Sequence, residues 1–175
     1  MQHIFNHCPN CKGGHLEYPE GNKIFCPDCG FVYYHNVAGA VAVIVQKEAK
    51  ILLTERNKDP KKGFLDLAGG FVDAGESAEE TCVRELREEL NMAVDISKLK
   101  YLASAPNEYP YKGTLYNTID LFFLYRDDSL EIENFDQMEL KGFVWKKLSE
   151  VDIEMIAFES QKKVLALLKE KSNPE

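Results

Sequence analysis

Three glutamates, Glu85, Glu88 and Glu89, stand at i, i+3 and i+4, a spacing that places them on one face of a helix. Carboxylates this close repel one another and weaken a bare helix. A divalent cation reverses that penalty, and hard ions such as Mg²⁺ or Mn²⁺ prefer carboxylate oxygen. The bland alternative is a solvated acidic face with no chemical role. The surroundings favour the first reading. Gly69-Gly70 and the turn Asp73-Ala74-Gly75-Glu76 lie just before the helix, and glycine lets backbone approach a ligand closely. Glu76 and Arg84 flank the helix start and can pair to fix the loop against it, unless they form only a surface bridge of little worth.

A second group lies nearer the start. Cys8-Pro9-Asn10-Cys11 and Cys26-Pro27-Asp28-Cys29 are two CxxC knuckles, a set suited to tetrahedral Zn²⁺ held by four thiolates. Four thiolates leave no open position, so such a zinc is structural. Paired disulfides would call for an oxidising compartment, and a redox dithiol belongs beside a βαβ pattern. Cys82, the fifth cysteine, falls on an apolar helix face and reads as an inert buried thiol.

The elements that must position these groups follow from periodicity. Residues 1–35 hold few large apolar side chains and many turn formers, so metal must hold them together. Residues 36–175 form the second domain. Strands are expected over Val37–Gln46, Ile51–Glu55, Phe64–Ala68, Lys100–Ser104, Asn117–Tyr125 and Gly142–Lys147. Ser77-Ala78-Glu79-Glu80 is a capping-box pattern opening a helix to Leu90, with Cys82, Leu86 and Leu90 on its apolar stripe. Glu159–Lys171 is an amphipathic closing helix with Val164, Leu165, Leu167 and Leu168 inward. The expected class is α/β: an α/β/α sandwich with a mixed β-sheet, preceded by a small zinc ribbon.

Charge narrows the partners. The net charge is −8, with 21 basic and 29 acidic residues and no basic tract, which disfavours extended nucleic acid. Within 1–35, Lys12 and Lys23 face Glu17, Glu20 and Asp28, poor electrostatics for a phosphate backbone. An anionic substrate needs a local cation to enter. The longest apolar run, Val37–Val45, is far below the ~20 residues of a membrane span, and residues 1–8 carry no leader signature. A cytoplasmic chain is expected, with no membrane partner and, at most, a second copy of itself as a homodimer.

Gly70, five residues, Glu76, seven residues, then Arg84-Glu85-Leu86-Arg87-Glu88-Glu89-Leu90-Asn91-Met92 resembles the Nudix box, Gx5Ex7REUxEExGU, with U a bulky aliphatic residue. One position departs: Asn91 stands where the family has glycine, and Asn is the next-best residue for a left-handed helix end. The resemblance implies that Glu85 and Glu89 are the principal Mg²⁺ or Mn²⁺ ligands and that Glu88 is a supporting ligand or base. It also implies that the carbonyl of Gly69 can face metal and that Glu76 and Arg84 form a structural ion pair. The implied reaction is attack of water on a phosphorus of a diphosphate.

A zinc ribbon ahead of such a domain is similar to the NADH pyrophosphatase family, which carries SQPWPFPxS after the box. Here Ser104, Pro106 and Pro110 agree and Tyr109 replaces Phe, while Gln and Trp are missing and Lys112 replaces the last Ser. The resemblance implies cleavage of a nucleoside diphosphate linked to another group, NAD(H) or ADP-ribose first, yielding AMP. Tyr109, Tyr111 and Tyr116 supply aromatic faces that could stack a base, or could serve packing alone. Glu139, six residues before Trp145, is similarly placed to a late metal-binding Glu of that family, with Glu131, Glu133 and Asp136 as neighbouring competitors. Two rival readings are a Nudix fold kept as a nucleotide-sensing regulator and a zinc-ribbon nucleic-acid binder without turnover.

Overall fold

The computed structural model describes residues 5–19 and 22–172. Residues 1–4, read above for a leader, and Glu20, counted above in the ribbon's charge, lie outside the described residues. The chain divides into two compact units, 1–37 and 38–175. Among the described residues no helix is long and apolar enough to cross a membrane.

In the first unit β1 (Lys23–Phe25) pairs antiparallel with β2 (Val32–Tyr34). Each cysteine knuckle closes in the same way. Lys12 N–H donates to Cys8 O at 2.8 Å and Gly30 N–H to Cys26 O at 2.9 Å. Both donors sit in the left-handed region, at φ 64° and 73°. These turns aim the two sulfurs of each knuckle to one side, the arrangement a shared metal requires.

The second unit holds β3 (Ala38–Lys47), β4 (Lys50–Arg56), β5 (Leu65–Asp66), α1 (Ala78–Leu90), β6 (Lys100–Tyr111), β7 (Thr114–Arg126), β8 (Leu140–Lys147) and α2 (Glu159–Ser172). The strand order is β5-β4-β3-β7-β6, with β8 also on β4. β3 and β7 run parallel from Ala38↔Thr118 to Gln46↔Arg126, and the other pairs are antiparallel, so the sheet is mixed. Side chains alternate across β3. Val41, Val43 and Val45 pack with Cys82, Leu86 and Leu90 of α1, whereas Ala42 and Ile44 pack with Val164 and Leu165 of α2. The result is a helix on each face of the sheet.

One irregularity makes the site. β3 and β4 pair only beside their turn, at Gln46↔Ile51 and Lys47↔Lys50, and then part. The run 68–71 takes the place beside β3, through Val43↔Ala68 and Ala40↔Phe71, while Asp66 stays on β4 opposite Thr54. A gap therefore opens between the two strands, and 65–71 lines it.

α1 starts as its sequence demands. Ser77 accepts from Glu80 N–H and Glu80 reaches back to Ser77 N–H at 2.8 Å. It ends at Asn91, φ 51°, where Asn91 N–H reaches Arg87 O at 3.0 Å and Met92 N–H reaches Leu86 O at 3.1 Å. A left-handed stop of this kind satisfies the last carbonyls.

Three expectations need correction. β6 does not end at Ser104; it continues to Tyr111 and turns through Lys112 and Gly113, both at positive φ, into β7. Pro106 and Pro110 are tolerated there because β6 is an edge strand with only β7 beside it. The strand expected at 64–68 is only the two residues of β5. Leu167 is not inward on α2 but 54% exposed. At 100° per residue it lies about 200° from buried Leu165, on the far side of the helix.

Candidate active and metal sites

A cavity of about 590 Å³ occupies the gap between the parted strands. α1 presents Glu85, Glu88 and Glu89 to it, the glycine run presents Gly69 and Gly70, and β6 presents Tyr109. The three glutamates differ in setting. Glu89 is 9% exposed, and its Oε2 has no hydrogen-bond partner. Burial first, then the charges of Asp66, Glu85 and Glu139, push its carboxyl well above the usual range. Glu85 is also raised by burial, against the stabilising contact of Arg84. The Glu88 side chain is 54% exposed.

An unpartnered, buried carboxylate oxygen facing other acids is costly unless a cation completes it. The chemistry of the donor set, all oxygen, fits Mg²⁺ or Mn²⁺. Among the described residues only the four cysteines gather three or more ligand groups within 4.8 Å of one another. The cavity acids are less tightly drawn together, and Glu85 Oε1 is turned to Arg84 Nη1 at 2.7 Å.

The two glycines are required by their surroundings. A Cβ on Gly70 would overlap the Glu85 carboxylate, and a Cβ on Gly69 would overlap the carbonyl of Val41. Ala68 O and Gly70 O both accept from β3, at 2.8 Å each. Strand alternation turns the Gly69 carbonyl the other way, off the β3 ladder.

Arg84 joins loop to helix. Its Nε donates to Glu76 Oε1 at 2.9 Å, and its Nη2 donates to Phe71 O at 3.0 Å and Glu76 Oε2 at 3.1 Å. Its Nη1 serves Glu85 and Glu88. The hydrogen bond from Arg84, with one from Thr81, holds the Glu76 carboxyl below the usual range. This is a partly buried network, with Arg84 and Glu76 side chains 19% and 24% exposed, rather than an isolated surface bridge.

Glu139 also lines the cavity and pairs with Lys58 Nζ at 2.5 Å. Tyr109 lies 5.5 Å from Phe158 and 5.4 Å from Phe71, centroid to centroid. Tyr111 is not brought to the cavity wall: it sits beside Tyr109, 6.3 Å away, and is exposed. Adjacent odd positions of a strand share a face, but β6 carries Tyr111 out toward the turn.

Several lining residues escaped the sequence reading. Arg56 is the buried cation, 8% exposed, paired with Asp66 and stacked 5.0 Å over Phe158. Burial works against its charge, and Asp66 more than offsets this, so its pKa is raised. Gln161 of α2 donates to Asp66 Oδ1 at 2.6 Å. The usable signal was Arg56 itself, a charge in phase with Leu52 and Thr54 on a strand whose face is buried.

The four cysteines form the other site. Cys8 and Cys29 sulfurs are 3.7 Å apart, and those of Cys11 and Cys26 are 3.6 Å apart. A disulfide needs about 2.05 Å. A tetrahedron with Zn–S near 2.3 Å has edges of about 3.8 Å. The spacing is therefore compatible with zinc and not with disulfides. Cys82 is buried in the core, and burial pushes its thiol up to about 12.

Comparison with known proteins agrees with this geometry. The chain is 30% identical over 151 residues to a NAD-capped RNA hydrolase NudC of Photobacterium profundum, covering 86% of this chain and 53% of that one. It is 36% identical over 109 residues to an ADP-ribose pyrophosphatase of Methanocaldococcus jannaschii, covering 59% of this chain and 64% of that one. The chain thus spans about half to two thirds of the length of these curated relatives. Among solved structures, a NUDIX hydrolase from Nitrosomonas europaea superposes with a TM-score of 0.64 at 23% identity, over 95% of this chain and 92% of that one. The NUDIX domain of NrtR from Shewanella oneidensis, complexed with ADP ribose, gives a TM-score of 0.62 at 18% identity, over 85% and 94%. The family model for the NUDIX domain matches residues 35–168, and with the acidic helix, the two glycines and the Arg84 network in place, this chain belongs to the NUDIX family.

Proposed function

We propose that this chain is a metal-dependent pyrophosphohydrolase that cleaves a nucleoside diphosphate linked to another moiety, NAD(H) or ADP-ribose first, to AMP and a phosphorylated remainder. The observation that carries the reading is the buried, unpartnered Oε2 of Glu89 on the wall of a cavity that also holds Tyr109 and Arg56. Glu85 and Glu89 would hold Mg²⁺ or Mn²⁺, with the Gly69 carbonyl and Glu139 as further oxygens. When bound, the ion supplies charge neutralisation on the phosphates and makes water at the site more acidic. Glu88, the most exposed of the three, would add a supporting ligand or accept the proton of the attacking water. Arg84 holds Glu85 and Glu88 in place and ties both to the loop at Phe71. Tyr109 would stack the base, with Phe158 and Phe71 bracing its ring. Tyr111, outside the wall, would contribute only at the rim. Zn²⁺ on Cys8, Cys11, Cys26 and Cys29 would be structural.

The relatives' names support a nucleotide with an internal diphosphate, since they act on NAD-capped RNA and ADP-ribose. The test is a panel of ADP-ribose, NADH, NAD and diadenosine polyphosphates with Mg²⁺ or Mn²⁺, with products identified. AMP formation from ADP-ribose or NADH is expected. Binding of these compounds with no cleavage under any divalent ion would favour the sensing regulator instead.

A further inference from the structure

Two buried side-chain atoms among the described residues lack a hydrogen-bond partner, and both line one cavity. One is the acceptor Glu89 Oε2, used above. The other is a donor, Arg56 Nη2. Elsewhere on the guanidinium, Nε donates to Pro60 O at 2.8 Å and Nη1 donates to Asp66, and the Tyr109 side chain is near enough to act on the group, while Nη2 has no partner within hydrogen-bond geometry. The side chain is nine-tenths buried, so solvent does not serve Nη2. A buried charged donor left unpaired costs more than a hydrogen bond returns, so its presence points to an acceptor supplied from outside.

Its neighbours say which part of a nucleotide meets it. Arg56 lies over Phe158, and Phe158 lies against Tyr109, the ring assigned above to the base. Asp66, which holds Arg56, is close enough to Glu89 for its charge to act there. Arg56 thus stands between the aromatic end and the acidic end of the cavity. The other lining cations are occupied: Lys58 by Glu139, and Arg84 by Glu76, Glu85, Glu88 and Phe71 O. What lies between base and metal in a nucleoside diphosphate is ribose and the base-side phosphate. A guanidinium N–H matches the anionic phosphate oxygen far better than a hydroxyl.

We infer that Arg56 binds the phosphate on the base side of the substrate through Nη2, while Asp66, itself held by Gln161, fixes the guanidinium. This rests on reading the cavity as a nucleotide site. It makes Arg56 a binding residue that separates nucleotides from nucleosides and acts without the divalent ion.

The test is binding without turnover. The full zinc-loaded chain, with no added Mg²⁺ or Mn²⁺, is titrated calorimetrically with AMP and with adenosine. AMP should bind about tenfold or more tightly than adenosine, the return expected of one charge-assisted bond. Arg56→Lys keeps a cation for Asp66 but loses the forked donor, and should remove most of that ratio. The double variant Arg56→Met with Asp66→Leu removes both members of the pair, so that neither of their charges is left alone, and should read the same. Equal affinity of the native chain for AMP and adenosine overturns the inference. So does an unchanged ratio in both variants. A chain that binds AMP in this Arg56-dependent way yet hydrolyses no diphosphate contradicts the hydrolase reading and not this one.

Discussion

Glu89 is the residue on which the site turns, and its burial has a consequence for stability. A carboxyl whose folded pKa is raised binds its proton more readily when folded than when unfolded. Its effect on stability is therefore absent at low pH, and a penalty grows as pH rises from the unfolded value of about 4.3 toward the raised folded value. Without added Mg²⁺ or Mn²⁺, Glu89→Gln should melt above the native chain at pH 7 to 8, with the gap closing as pH falls toward 4. Thermal melts across that range check this, and a variant that melts lower at pH 8 would mean that Glu89 is already satisfied within the protein. At the same scale, the sequence marked Glu85, Glu88 and Glu89 because they lie close along one helix. It did not mark Arg56, whose partner Asp66 lies 10 positions away and is itself held by Gln161, 95 positions further on, so that the three meet only through the fold. Tyr111 failed to reach the cavity for a similar reason. Alternation put it on the Tyr109 face, but only the hairpin geometry set how far along the strand the wall extends.

Among the elements, α1 was the most legible, because both its ends and its buried stripe are local signals. The capping box at Ser77 and the stripe of Cys82, Leu86 and Leu90 are as the sequence demands. The hairpin of β6 and β7 was less so: Pro106 and Pro110 argue against a strand unless it is known to lie at a sheet edge. Asn91 is the one departure from the family box, and the structure gives its role. A side chain with a Cβ in the left-handed region costs about 1–2 kcal/mol, and Asn offsets part of this where Ala cannot. Asn91→Ala should therefore lose about 1 kcal/mol in urea unfolding, and Asn91→Gly should lose none. Equal loss in both would show that the Asn side chain, not the backbone conformation, holds the helix end. Helix α1 carries all three cavity glutamates, so Asn91→Ala should lower the melting temperature more than it alters turnover at 25 °C.

At the scale of the whole chain, the proposed metals serve the two units in different ways. Among the described residues of 1–37, two cysteines and Ile24 are buried, too small a core to stand alone, so the proposed zinc on four thiolates would supply the folding energy. Residues 38–175 have apolar clusters on both faces of a sheet and need no ion to fold. Removing zinc with a thiol-selective reagent should release one ion per chain and loosen 1–37. Divalent-ion-dependent cleavage should persist while 38–175 stays folded. Full activity sustained by zinc alone would contradict the division of roles. The sequence divides the chain near His35, where cysteine spacing and turn residues give way to β-branched strand sequence, and the two compact units part between 37 and 38. The parting of β3 from β4, which creates the cavity, was not legible, because it depends on 68–71 displacing β4 from beside β3.

In the proposed reaction Glu89 holds the divalent ion on which cleavage of a nucleotide diphosphate depends. The most direct measurement is the turnover number of Glu89→Gln against the native chain, with ADP-ribose and NADH at saturating Mg²⁺ or Mn²⁺, beside a melt showing that the variant is folded. Glutamine keeps the shape and removes the charge that binds the ion, so turnover should fall by about three orders of magnitude or more, a loss of about 4 kcal/mol of transition-state stabilisation. A folded Glu89→Gln protein that cleaves either substrate at near-native rate would contradict it.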